Sequence, residues 1–284
     1  MGTGPRRNLR CAVALLPWLA VACGPAPAPD ARPLVAVSVL PQAWVVERLA
    51  GELVNVAVMI PPGASPATHE PDLSQRRALE RAVLYVKVGH PHFPFEATWL
   101  DPLLGERPDL TIVDCAAGLE RFEHDPHLWL SPSRMRAMAE PIAHALIAAL
   151  PAEADSIRLN AAAFEAELAT TEGRVREILT AARGKSFVVQ HPAWGYLAED
   201  YGLIQIAVQD ENREPDPREL AELIATAREL DVQVIFSQPH FDATSARVVA
   251  DEVGASVEML DPLAEDWARN LIHVAERLAA EARG

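Results

Sequence analysis

From Leu34 onward the chain alternates between two rhythms of apolar and polar positions. Short apolar runs rich in β-branched residues (LVAVSVL, VNVAVMI, LYVKVG, LTIVDC, SFVVQ, LIQIAV, VQVIFS and SVEML) recur along the chain, most with Gly, Pro or Asp close to one end. Such runs read as buried strands. Between them lie stretches with helical spacing, among them QAWVVERLAG, LSQRRALERA, SRMRAMAEPIAHALIAAL, EPDPRELAELIATAREL, DATSARVVADEVG and EDWARNLIHVAERLAAEA. Strands that alternate with helices predict parallel sheets covered by helices on both faces.

One helix interrupts this series. The run PAEADSIRLNAAAFEAELATTEGRVREILTAAR, Pro151 to Arg183, consists of good helix formers and charged residues. Pro151 suits a helix start, where its missing N–H costs nothing, and Gly184 suits the left-handed cap beyond the end. Ile157, Phe164, Leu168, Val175 and Leu179 form one apolar stripe. At 1.5 Å per residue such a helix spans roughly 50 Å, which suits a spine between two lobes better than a part of one lobe. The predicted architecture is α/β, with two lobes, each a roughly four-stranded parallel sheet flanked by helices. The N-terminal lobe covers 34–150, the linking helix 151–183 and the C-terminal lobe 184–284.

Residues 1–33 follow neither rhythm. Arg6, Arg7 and Arg10 precede the apolar run CAVALLPWLAVA and small residues before Cys23. That is the build of a secretory signal over 1–22, too short and too Pro-broken to span a membrane. LAVAC resembles a lipoprotein signal, with Cys23 as the lipidated residue; Ala20 stands where Leu is usual. The Pro/Ala-rich stretch 23–33 reads as a tether. The expected location is the periplasm or the outer face of the cytoplasmic membrane. Without residues 1–22 the chain carries 22 basic and 40 acidic residues, a net charge of −18. So acidic a surface repels phosphate backbones and argues against nucleic acid as a partner. Only Cys115 would remain after Cys11 leaves with the signal and Cys23 takes lipid, so no internal disulfide can form.

The histidines carry the chemistry. In open α/β sheets ligands bind beyond the C-terminal ends of the strands. His69, His90, His92, His124, His127, His191 and His240, seven of the nine histidines, follow predicted strands, as does Asp261; only His144 and His273 fall inside helices. A single loop histidine means little, but this set lies on one edge, where two lobes would face each other. Three imidazoles with a carboxylate suit a tetrahedral zinc ion. No local motif such as H-E-x-x-H is present, so a site would be assembled from distant loops.

From Leu34 to its C-terminus the chain resembles the zinc- and manganese-type solute-binding proteins of bacterial ABC importers. The matching stretches are IPPGASPATHEPDLS, DPHLWLSP, VVQHPAWGYLAEDYGL, IFSQPHFDATSA and LDPLAEDW. The resemblance implies two lobes joined by one rigid helix, and metal ligands at His127, His191 and Asp261. It implies a first ligand at position 67, where this chain has Ala67 and places His69 two residues on. Residues two apart in an extended segment point the same way, so His69 is expected as the replacement. His240 stands where the family often has glutamine, and Gln238 where it often has glutamate; His240 is the other candidate. His90, His92 and His124 are auxiliary candidates at the rim. Manganese-type members carry glutamate at the His191 position. Imidazole suits zinc, whereas manganese prefers oxygen. Zinc is therefore favoured, with manganese, nickel and iron left open.

The function implied is an extracytoplasmic receptor, monomeric and not an enzyme, that delivers the ion to a membrane permease. A zinc hydrolase on the same edge is the alternative from another class. It needs a general base beside the metal, and Glu70 is the only obvious one. A metal-binding surface adhesin lipoprotein is a third reading.

Overall fold

The structure, a computed structural model, describes residues 1–2, 32–209, 213 and 215–282. The expected signal, its lipidation position Cys23 and all but the end of the tether lie outside the described residues. The N-terminal lobe carries β1 (Leu34–Val37), α1 (Leu40–Ala50), β2 (Asn55–Val58), α2 (Leu73–Arg81), β3 (Leu84–Lys87), α3 (Asp101–Gly105), β4 (Thr111–Asp114) and α4 (Pro132–Ala149). The long helix is α5 (Ala154–Leu179), entered and left through 3-10 turns at Pro151–Glu153 and Thr180–Ala182. The C-terminal lobe carries β5 (Ser186–Val189), α6 (Gly195–Tyr201), β6 (Ile204–Ala207), α7 (Pro217–Glu229), β7 (Val234–Ser237), α8 (Thr244–Val253), β8 (Ser256–Met259) and α9 (Trp267–Glu281).

Both sheets are four-stranded and parallel, in the same order: β2-β1-β3-β4 and β6-β5-β7-β8. The predicted two-lobed architecture is the one observed. The central strands are the continuous apolar runs, buried on both faces, while the edge strands β4 and β8 are half exposed. Because all strands in a sheet run the same way, every strand-exit loop opens on one edge. In each sheet the strand order reverses between its first and third strands, the switch point beside which ligands bind in open α/β sheets.

The spine is packed along its length rather than exposed. Its stripe of Ile157, Phe164, Leu168, Val175 and Leu179 is buried against α1 and α4 of the first lobe and α9 of the second. Trp44 of α1 meets Phe164 of the spine at 5.2 Å and Trp267 of α9 at 5.1 Å, so both lobes and the helix share one aromatic cluster. Arg48 grips Glu167 through two nitrogens, and Arg136 pairs with Glu165 and Glu172. Gly184 adopts φ +77°, the left-handed cap expected after the helix. FEATWLDPLL opens with a π-helical turn, Glu96–Leu100, before α3. Within it the Glu96 side chain turns inward to Ser38, Val88 and Gly89.

Candidate metal centre

The exit loops converge as the topology requires. A cavity of about 40 Å³ is lined by His92 and His124, by His127 from the β4 exit, and by His191 and His240 from the β5 and β7 exits. Ser65, Ala67, Phe93, Phe241 and Leu263 complete much of its wall. The His127 and His191 rings meet edge to face with centroids 5.3 Å apart, one from each lobe, and both residues are 8 % exposed. His191 also stacks on Phe241 at 4.8 Å, and His240 lies against the same ring at 4.9 Å. Burial, and then the neighbouring His127, push the His240 imidazole down to about 4. It is a neutral donor at physiological pH.

The loop bearing His191 is held from below. Gln190 is fully buried; its backbone N–H donates to Phe236 O and its side-chain Nε2 to Asp242 O, and the Ser237 hydroxyl donates to its side-chain Oε1. The side-chain Nε2 of Gln238 approaches the His191 carbonyl at 3.5 Å, while its buried Oε1 has no hydrogen-bond partner among the described residues. A cavity with several imidazoles on its wall and an unsatisfied buried acceptor nearby suits a small cation. The volume admits an ion with a water or two, not an organic solute.

The remaining expected ligands fall elsewhere. His69 lies outside this cavity; its ring bonds Gln75 Oε1 at 3.1 Å and stacks on Phe95 at 5.9 Å. Gln75 belongs to the capping box of α2, where Asp72 caps and Gln75 reciprocates. Asp261 lines an adjoining cavity of about 100 Å³, together with Pro62, Gly63, His240 and Leu263. His240 and Leu263 form the wall common to both. Burial raises the Asp261 carboxyl above its ordinary range, partly offset by the Leu263 N–H that it accepts at 2.8 Å. His90 is 3 % exposed and bonds the Phe122 carbonyl, which fixes it under the rim. His92 and His124 meet at 4.6 Å. Among the described residues no three His, Cys, Asp or Glu side chains are already drawn into one coordination sphere.

Two residues went unread in the sequence. Asp125 accepts from the His127 backbone N–H at 2.9 Å and lies 2.8 Å from its Nδ1. An Asp two residues before a loop histidine is a recognisable Asx-turn signal. Glu96 gave no such signal, since nothing local marks a carboxylate that folds inward. Burial pushes its carboxyl up to about 7, against the pull of hydrogen bonds from Ser38, Gly89 and Val88. It ties the exit of β1 to the exit of β3. There Gly89 takes φ +78° and passes so close to Asp114 that a Cβ would lie 1.8 Å from its Oδ1.

Residues 35–281 match the family model of the zinc-uptake complex component A, periplasmic. The chain belongs to that family. The family is described as a component of a zinc-uptake complex rather than as a catalyst, which speaks against the hydrolase alternative. It is 28% identical over 262 residues to the zinc-binding lipoprotein AdcA of Streptococcus pneumoniae (strain ATCC BAA-255 / R6). That match covers 86% of this chain and 52% of AdcA, so the chain spans about half the length of this relative. A crystal structure of ZnuA superposes with a TM-score of 0.83 at 38% identity, over 88% of this chain and 99% of that one. A zinc-bound deletion mutant of ZnuA gives 0.83 at 37%, over 88% and 98%.

Proposed function

We propose that this chain is an extracytoplasmic receptor that captures a zinc ion between its two lobes and hands it to an ABC-type importer. The observation that carries the reading is the meeting of His127 and His191, one from each lobe, in a cavity too small for an organic solute. Zinc is favoured over manganese because the donors on the wall are imidazoles. The zinc-bound state of the related ZnuA mutant supports the same choice.

The proposed ligands are His127, His191 and Asp261, with a fourth from His240 or His69. His240 is the better placed, since it lies on the wall between the imidazole cavity and Asp261, whereas His69 would have to leave Gln75. A carboxylate offsets the charge of a dication held by neutral imidazoles, and burial raises the cost of leaving Asp261 ionised without one. Binding then requires small movements of the exit loops to gather donors now divided between two adjoining cavities. Anchoring through Cys23 and docking to a membrane permease complete the reading; Cys23→Ala should release the protein from membranes and leave metal binding intact.

The experiment is competitive titration of the metal-free protein with zinc against a chelator of known strength, with manganese in parallel. Tight 1:1 zinc binding and weak manganese binding are expected. Failure to bind zinc, or tighter binding of manganese, overturns the zinc reading.

A further inference from the structure

We infer that Asp125 is a positioning residue that fixes the ring of His127 with Nε2 as its only lone-pair nitrogen, and that the opposite lobe holds Asp125 in place. The inference rests on the proposed role of His127 as a ligand. One oxygen, Asp125 Oδ1, faces both the backbone N–H of His127 at 2.9 Å and its Nδ1 at 2.8 Å. A carboxylate can only accept, so Nδ1 carries the proton and Nε2 is left as the basic nitrogen. The double grip settles where the chain runs and how the ring is turned. Trp129 and His191 flank that ring at 5.3 Å each. A carboxylate behind a ligating imidazole orients the ring and strengthens it as a donor.

The grip is built by both lobes. Tyr196, in α6 of the second lobe, donates its hydroxyl hydrogen to the Asp125 carbonyl at 2.8 Å and accepts from the Phe122 N–H at 3.0 Å. The Tyr196 and Phe122 rings stack at 4.5 Å and 9°. Arg134 covers the Tyr196 ring at 4.3 Å while pairing with Glu199 and Asp200. The neighbouring Gly195 leaves room for the carboxylate, because a Cβ there would lie 2.6 Å from Asp125 Oδ2. The segment Phe122–His127 is thus seated on α6, and the orientation of a first-lobe ligand depends on second-lobe residues.

The test reads the tautomer directly. Nitrogen-15 spectra of zinc-free, histidine-labelled protein near neutral pH, with His127→Gln to assign the signal, should show His127 protonated at Nδ1. Asp125→Ala should move it toward the Nε2-protonated form and lower zinc affinity about 10- to 100-fold. Asp125→Asn keeps an acceptor oxygen and should restore the tautomer and most of the affinity. Gly195→Ala leaves every donor and acceptor in place but displaces the carboxylate, and should shift both readouts in the direction of Asp125→Ala. An unchanged tautomer in Asp125→Ala, or wild-type zinc affinity in that variant, overturns the inference. A tautomer change in a protein that binds no zinc supports the positioning role and instead sinks the receptor reading.

Discussion

The indole N–H of Trp267, at the start of α9, donates to the backbone carbonyl of Trp129 at 2.6 Å, and Trp129 in turn donates its own indole N–H to the Pro262 carbonyl at 2.7 Å. Both rings are almost completely buried. Trp129 lies two residues after His127, and Pro262 directly follows Asp261. The two bonds therefore tie a proposed ligand loop of the first lobe to one of the second. Trp267→Phe keeps most of the apolar volume and removes one donor to a buried carbonyl, which should cost about 1–3 kcal/mol. For a chain of this size that is a fall in melting temperature of roughly 2–4 °C per kcal/mol, readable by calorimetry. An unchanged melting temperature would mean that the bond contributes nothing.

The same ties bear on motion. With Trp44, Phe164 and Trp267 packed as one cluster and ion pairs joining α1 and α4 to the spine, a wide clamshell closure would have to break a shared core. Metal-free and zinc-loaded protein should differ by small lobe tilts and loop adjustments. X-ray scattering should give nearly superimposable curves for the two states; a clear fall in radius of gyration on zinc addition contradicts the rigid spine.

Alanine variants of the ligand candidates should separate by position. His127→Ala and His191→Ala should weaken zinc binding by more than about 100-fold, beyond the range typical of outer-shell losses. His240→Ala should follow them, and His69→Ala should be mild, because His69 is engaged with Gln75 and Phe95 away from the cavity. His92→Ala and His124→Ala should have little effect on equilibrium affinity. Chelator competition at neutral pH gives the order, and near-wild-type affinity in both His127→Ala and His191→Ala would refute the interlobe site.

Glu96 predicts a pH dependence of folding. Its folded value is raised from 4.5 to about 7, so between those limits the native state holds a proton that the unfolded chain does not. Stability from this group is therefore complete below about pH 4.5 and is lost as pH rises toward 7. His240 acts in the opposite sense, because its folded value is depressed: it costs stability as pH falls from 6.5 toward 4. Comparing wild type with Glu96→Gln isolates the carboxyl. Urea midpoints at pH 4.5, 6 and 8 should show the wild type losing stability relative to the variant as pH rises. A difference that does not change with pH would mean that Glu96 titrates alike in the folded and unfolded chain.

The local sequence determined the elements and, through them, the edge on which the chemistry lies. Apolar runs long enough only for strands, separated by helix-period segments, leave little choice but parallel sheets. A parallel sheet then sends every strand-exit loop to one side, so the positions of His127, His191, His240 and Asp261 along the chain already placed them on a common edge. The burial of the stripe on the long helix followed from its spacing in the same way. The tertiary structure decided which side chains on that edge meet. His69 and Ala67 are two residues apart in the loop after β2, yet Ala67 lines the cavity and the ring of His69 lies outside it, bonded to Gln75 of the α2 cap. Asp125 acquires its place only because Gly195 and Tyr196, about seventy residues on, leave the space and supply the hydroxyl. Periodicity specifies a helix or a strand because each repeats one backbone geometry. A loop side chain has no such repeat, and its direction is set by hydrogen bonds and packing partners that exist only once both lobes are folded around the spine.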